Sequence, residues 1–137
     1  NALAPELEFP AIVHPSAIIS KGVEIGNGTV IMPGSVVNAD CKIGNFCILN
    51  TSSSIDHECV IQDYSNISPN VCIGGNVFID KFCFLGISST IINNVKVGYN
   101  SVIGAGALLL NDCNKNSVMF GFPAKNIRTR KEFDRNF

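Results

Sequence analysis

An aliphatic side chain falls at every sixth position over most of the chain. The frame runs through Leu7, Val13, Ile19, Ile25, Ile31, Val37, Ile43, Leu49, Ile55, Ile61, Ile67, Ile73, Ile79, Leu85, Ile91, Val97, Ile103 and Leu109, eighteen hits without a slip. Two residues before each hit the side chain is nearly always small, as at Ala17, Thr29, Ser35, Cys41, Cys47, Ser53, Cys59 and Ser101. Inward positions at i and i−2 fit a pleated strand, in which every second side chain points the same way. The intervening positions are rich in Gly, Asn and Asp, as in Gly26-Asn27-Gly28, Gly44-Asn45, Asp80, Gly98 and Gly104. Such residues tolerate positive φ and close corners. Self-similarity at a fixed period is the mark of a repeat architecture.

Three strand-turn units of six make a triangular coil of eighteen residues. About five and a half coils at the strand spacing of roughly 4.8 Å give an all-β prism some 25–30 Å tall. Residues 1–10 lead in, with Leu7 as the first candidate for the frame, and residues 11–110 form the array. The frame breaks over 111–119 (NDCNKNSVM), where Lys115 takes an aliphatic place, and this segment reads as an exit loop. Residues 120–137 read as a tail that holds GFPAK and then a charged end.

Residues eighteen apart stack, so the outward positions sort into three faces. The first reads Ile12, Val30, Ile48, Asn66, Phe84, Val102; the second Glu6, Glu24, Lys42, Val60, Phe78, Lys96; the third Ile18, Val36, Ser54, Cys72, Thr90, Leu108. The first is apolar apart from Asn66, and an exposed apolar column of that length marks an interface. A parallel prism with one such face is expected to form a homotrimer through Ile12, Val30, Ile48, Phe84 and Val102. The plainer alternative is that the C-terminal tail covers this face. A buried amide needs a partner, so Asn66 should bond a neighbouring subunit or a ligand.

Composition narrows the class. A formal charge of −1 over 137 residues, with no basic run before Arg128-Thr129-Arg130-Lys131, argues against a nucleic-acid partner. No apolar run suits a membrane span. Cys41, Cys47, Cys59 and Cys83 fill the small position of the repeat, where a free thiol acts as a small hydrophobe. Cys72 and Cys113 lie off that position and read as plain free thiols. No CxxC pair exists and no metal is expected. Six reduced cysteines suit the cytoplasm. The chain opens on Asn1-Ala2 without a Met, which reads as a cut from a longer chain.

One corner carries candidate chemistry. His57 lies two residues past Ile55, with Ala39 one coil before it and Gly75 one coil after. Histidine is the natural general base near neutral pH, and Glu58 beside it can orient the ring. Gly75 has no side chain, so its N–H is expected to be open to an approaching oxyanion. A lone turn histidine is more often structural, and the same reading holds for His14 in HPSA. A second corner stacks Pro69, Ile87 and Ala105.

The six-residue repeats resemble those of left-handed parallel β-helix acyltransferases. The stretches ILNTSSSIDHECVI (48–61), FLGISS (84–89) and GFPAK (121–125) are similar to the sialic acid O-acetyltransferase group, which includes the N-acetyltransferases of UDP-linked 4-amino sugars. The resemblance implies transfer of an acetyl group from acetyl-CoA to an amine or hydroxyl of a nucleotide-linked sugar, with His57 as base, Glu58 as its partner and Gly75 as oxyanion donor. It implies a donor slot between subunits formed by Asn66, Ile87, Ala105, Gly121, Pro123 and Lys125, the last near phosphate. Asn66 stands where the group often has histidine. An N-terminal Rossmann-like domain that grips the sugar is usual in the group.

Rival functions fare worse. A β-helix carbonic anhydrase needs three histidine ligands, and only His14 and His57 exist. An ice-binding prism needs a periodic threonine array, and Thr29, Thr51, Thr90 and Thr129 have no period. A non-catalytic trimeric scaffold remains; it predicts no binding of acetyl-CoA.

Overall fold

The computed structural model describes residues 7–132, 134 and 135. Seventeen two-residue strands follow one another at six-residue intervals, from β1 (Ile12–Val13) to β17 (Leu108–Leu109), and no helix occurs among the described residues. Each strand from β1 to β14 pairs in parallel with the one eighteen residues on, as in Ile12↔Val30 and Cys72↔Thr90. The result is a left-handed parallel β-helix of about six coils with three flat sheets. The three sheets are the three faces expected from the eighteen-residue stacking.

Inside the prism, Ile31, Leu49, Ile67, Leu85 and Ile103 form one of three stacked aliphatic columns, each member at most 1% exposed. Each such side chain contributes roughly 1.5–3 kcal/mol by leaving water. The small position does more than save space. Thr29, Ser35, Ser65 and Ser101 each donate a hydroxyl to a carbonyl of the next coil (2.7–3.0 Å), and Cys41, Cys47, Cys59 and Cys83 aim their thiols the same way. Their acceptors, Gly44, Asn50, Asp56, Gln62, Gly74, Asp80, Gly98 and Asn114, are corner carbonyls with no strand partner. A buried carbonyl without a donor is costly, which is why Ser, Thr and Cys recur there.

Three expectations are corrected. Leu7 is 63% exposed and outside any strand, so the frame starts at Val13. Gly26, Gly44, Gly98 and Gly104 do not supply positive φ. At each a Cβ would meet the next coil at about 2.4–2.6 Å, so glycine is required there by close approach. The left-handed turn position lies two residues later and mostly holds other residues, including Asp40, Phe46, Glu58, Tyr64 and Phe82.

The third correction concerns residues 111–119, which form a shortened coil where an exit loop was expected. Cys113 bridges Val97, and Val118 and Met119 pair with Val102 and Ile103, sixteen residues back. Two residues are missing from one corner, so the frame slips and Cys113, expected off the small position as a plain free thiol, is a free thiol buried as an inward residue. Strand β18 (Ser117–Gly121) then turns back into the antiparallel β19 (Ala124–Thr129), and Arg130 beyond it reaches down to donate to the Phe82 carbonyl (3.2 Å).

Candidate active site

The prism has three edges, each a stack of two-residue turns. Between the third and second faces runs a histidine edge with Ala39, His57, Gly75 and Asn93. Between the first and third runs a proline edge with Pro33, Thr51, Pro69, Ile87 and Ala105. Between the second and first runs an aromatic edge, described below.

On the histidine edge the chain is pinned before the side chains are placed. The Glu58 N–H donates to the Ala39 carbonyl and the Asn76 N–H to that of His57, both at 2.9 Å. The Asp56 carboxylate accepts the His57 N–H (2.8 Å) and the Asn38 amide (3.0 Å). Those two donors, Asn38 first, hold the Asp56 carboxyl below the usual carboxylate range. Glu58 sits in the left-handed region, φ 57°, and its Oε2 lies 3.1 Å from His57 Nδ1. That contact favours the tautomer with its proton on Nδ1, leaving Nε2 free to accept one.

The His57 ring lies directly over Gly75. A Cβ built there would stand 2.7 Å from Nε2 and 2.8 Å from Cε1, so any larger residue would push the ring aside. Position 75 is buried under the imidazole, where the sequence suggests an open N–H. That N–H finds no acceptor among the described residues. The side chains of His57 and Glu58 are 56% and 66% exposed, so the pair stands open on the edge.

The remaining expected residues lie elsewhere. Ile87 and Ala105 are exposed on the proline edge, and Gly121, Pro123 and Lys125 are exposed in the hairpin above it, where the Phe120 ring lies against Gly104. Asn66 is half-buried on the first face, in a groove of about 860 Å³ shared with Tyr64, Phe84, Tyr99 and Arg130, and its amide has no partner among the described residues. A single chain therefore brings His57, Glu58 and Gly75 together but not the donor residues with them. Val102, expected in the interface column, is 1% exposed within the chain itself, so the column ends at Phe84.

Two features escaped sequence reasoning. Asp56 was legible only as a polar residue before a turn. The aromatic edge carries Phe9, Phe46, Tyr64, Phe82 and Tyr99 in one continuous ladder, with successive ring centroids 5.0–5.8 Å apart. The eighteen-residue spacing of Phe46, Tyr64 and Phe82 was its available signal. Among the described residues there is no cluster of metal-ligating side chains, and no helix is long and apolar enough to cross a membrane.

The fold is shared with solved hexapeptide-repeat sugar N-acetyltransferases. The chain is similar to the perosamine N-acetyltransferase PerB of Caulobacter crescentus, solved with CoA and GDP-perosamine: 32% identity, 88% of this chain and 58% of that one, TM-score 0.87. A histidine-to-alanine variant of the Caulobacter enzyme has been solved with the same two molecules. The acetyltransferase domain of PglB from Neisseria gonorrhoeae, also solved with acetyl coenzyme A, is 30% identical over 89% of this chain and 60% of that one, TM-score 0.88. Among curated proteins, serine acetyltransferase 2 of Arabidopsis thaliana is 39% identical over 56 residues, 41% of this chain and 17% of that protein. Galactoside O-acetyltransferase of Lactococcus lactis is 43% identical over 47 residues, 34% of this chain and 23% of that protein. The chain thus spans under a quarter of these curated relatives and under two thirds of these solved structures. No protein-family model matches it.

Proposed function

We propose that the chain transfers an acetyl group from acetyl-CoA to an amine or hydroxyl of a nucleotide-linked sugar. The observation that carries this reading is the His57 ring over Gly75 with Nδ1 held by Glu58, on a fold shared with N-acetyltransferases solved with CoA. His57 Nε2 takes the proton from the acceptor as its nitrogen or oxygen attacks the thioester carbonyl. The Gly75 N–H receives the oxyanion once the ring swings off it, the C–S bond breaks, and the proton passes to the departing thiolate. A positioned base of this kind supplies about 10²–10⁴ in rate.

In this reading the donor lies along the proline edge, with its pantetheine arm on Ile87, the Ala105 backbone bonding it, Gly121 and Pro123 closing over it and Lys125 near phosphate. Asn66 is a further polar contact. The chain works as a homotrimer through Ile12, Val30, Ile48 and Phe84, and its six unpaired thiols suit the reducing cytoplasm. The test is thiol release from acetyl-CoA against a panel of nucleotide-linked amino sugars. Turnover that disappears in His57→Ala supports the reading. Absence of acetyl-CoA binding overturns it and leaves a structural prism.

A further inference from the structure

The chain holds one Gly-Gly pair, Gly74-Gly75, and it forms the corner one coil beyond His57. The peptide between the two has no Cβ on either side to restrict its plane. Its flanks are fixed. The Gly74 N–H donates to the Ile91 carbonyl at 2.9 Å, and the Gly75 carbonyl accepts the Asn94 N–H at 3.0 Å. Between those bonds the peptide is held at one point among the described residues. The Cys59 thiol, inside the prism, donates to the Gly74 carbonyl at 3.1 Å.

A trans peptide points its N–H opposite to its carbonyl. With the carbonyl drawn inward to Cys59, the Gly75 N–H is turned out to the edge, beneath the His57 ring. It is bare there for a local reason. At Asn27, Asn45, Thr51, His57 and Lys81 the matching N–H is capped by an Asn or Asp side chain. For Thr51, His57 and Lys81 the cap is the residue just before, and Gly74 has no side chain to offer. Half a turn of the Gly74–Gly75 plane would put the Gly74 oxygen beneath the ring instead, where it would repel a developing negative charge.

We propose that Cys59 is a positioning residue for acetyl transfer, its thiol anchoring the Gly74–Gly75 peptide so that the Gly75 N–H faces the oxyanion. This role rests on the acetyltransferase reading. The thiol touches no reactant and acts only through that peptide. The Cys41 thiol beside it and its burial push the Cys59 thiol up, so it keeps its proton and stays a donor at neutral pH. Cys83 makes the same bond without the same use. Its thiol donates to the Gly98 carbonyl at 3.2 Å, but the residue that follows is Tyr99, on the aromatic edge.

Cys59→Ala and Cys83→Ala each remove one buried thiol donor, and alanine already fills the same place in the repeat at Ala17 and Ala107. Steady-state acetyl transfer is measured in both. Cys59→Ala is expected to lower kcat about tenfold or more, toward the roughly 10²–10³ lost with a whole oxyanion donor, while the KM for acetyl-CoA stays within about twofold. Cys83→Ala is expected to stay within about twofold of the wild type in both constants. Cys59→Ser restores a donor of the kind that Ser35, Ser65 and Ser101 supply, and kcat should return to within about threefold of the wild type. Cys59→Val matches Val77 one coil on and gives a second donor-free variant should alanine not fold; it is expected to lose kcat as alanine does. An active wild type whose Cys59→Ala turns over like Cys83→Ala, or a Cys59→Ser as slow as Cys59→Ala, overturns the positioning role and spares the acetyltransferase reading. A wild type that transfers no acetyl group overturns both.

Discussion

The histidine edge and the aromatic edge are built from one backbone. Both repeat a two-residue turn every eighteen residues, and both put the second residue at nearly the same φ, 57° at Glu58 and 60° at Tyr64. One presents a half-exposed imidazole and carboxylate over a glycine. The other presents a wall of rings. Nothing in the inward columns distinguishes them, so the fold is set by positions i and i−2, and the corners are free to differ. In this prism stability and chemistry occupy different residues of the same hexapeptide.

That separation predicts opposite signatures for substitutions a few residues apart. His57→Ala is expected to lower acetyl transfer by about 10²–10⁴-fold with an unchanged melting temperature, because the imidazole packs on an edge and not in the core. Ile67→Ala, on a fully buried position, is expected to do the reverse, destabilising the chain by roughly 2–5 kcal/mol in urea melts. Unchanged turnover in the first variant would remove the base from the mechanism. A comparable loss of stability in both would show that corner and column are not separable.

Gly75→Ala sharpens the contrast within the histidine edge. Its Cβ would meet the His57 ring, so the ring must shift, and turnover is expected to fall about tenfold or more, in keeping with the sensitivity of catalysis to about 1 Å of misplacement. The matching change on the proline edge, Ala105→Gly, removes a methyl from an exposed turn and should alter turnover far less. Equal losses in the two would argue that glycine beneath the ring is incidental.

The columns and faces were legible because the period is strict: the Ile and Leu positions are close to invariant in kind, and a strand pleat converts that directly into inside and outside. The pairing of His57 with Gly75 followed from the same arithmetic. Phe46, Tyr64 and Phe82 obey it too, but an aromatic residue in a turn looks like any outward residue until its neighbours are stacked on it. The last coil was hidden for another reason. With two residues missing before Cys113, Lys115 appears to end the frame, although Ser117 and Met119 restart it in the same small-then-apolar order. Glycines such as Gly44 and Gly98 misled because a close approach of backbone and a left-handed turn both select glycine, and only coordinates tell them apart.

The third face gives a smaller effect. Cys72 is the one exposed thiol of the six and lies on that face, so a thiol reagent should titrate one group in the native protein and six after denaturation. Protection of Cys72 would mean that the third face is covered by a neighbouring copy.

The smallest expected effect tests how the histidine corner is pinned. Asp56 accepts from Asn38 and from the His57 N–H, and its carboxyl is held below the usual range. A carboxyl whose folded pKa lies below its unfolded value, roughly 3.9, adds stability that is present above that value and is lost as pH falls through the folded one. Asp56→Asn keeps an acceptor for both donors but no charge. The melting-temperature advantage of the wild type over this variant should therefore be constant from pH 7 down to about 5, and should shrink below about 4. Turnover at neutral pH should change little, since the corner is still bonded. A difference that stays flat to pH 2 would mean that the Asp56 charge does not hold this edge, and that the backbone bonds to Ala39 and Asn76 hold His57 in place by themselves.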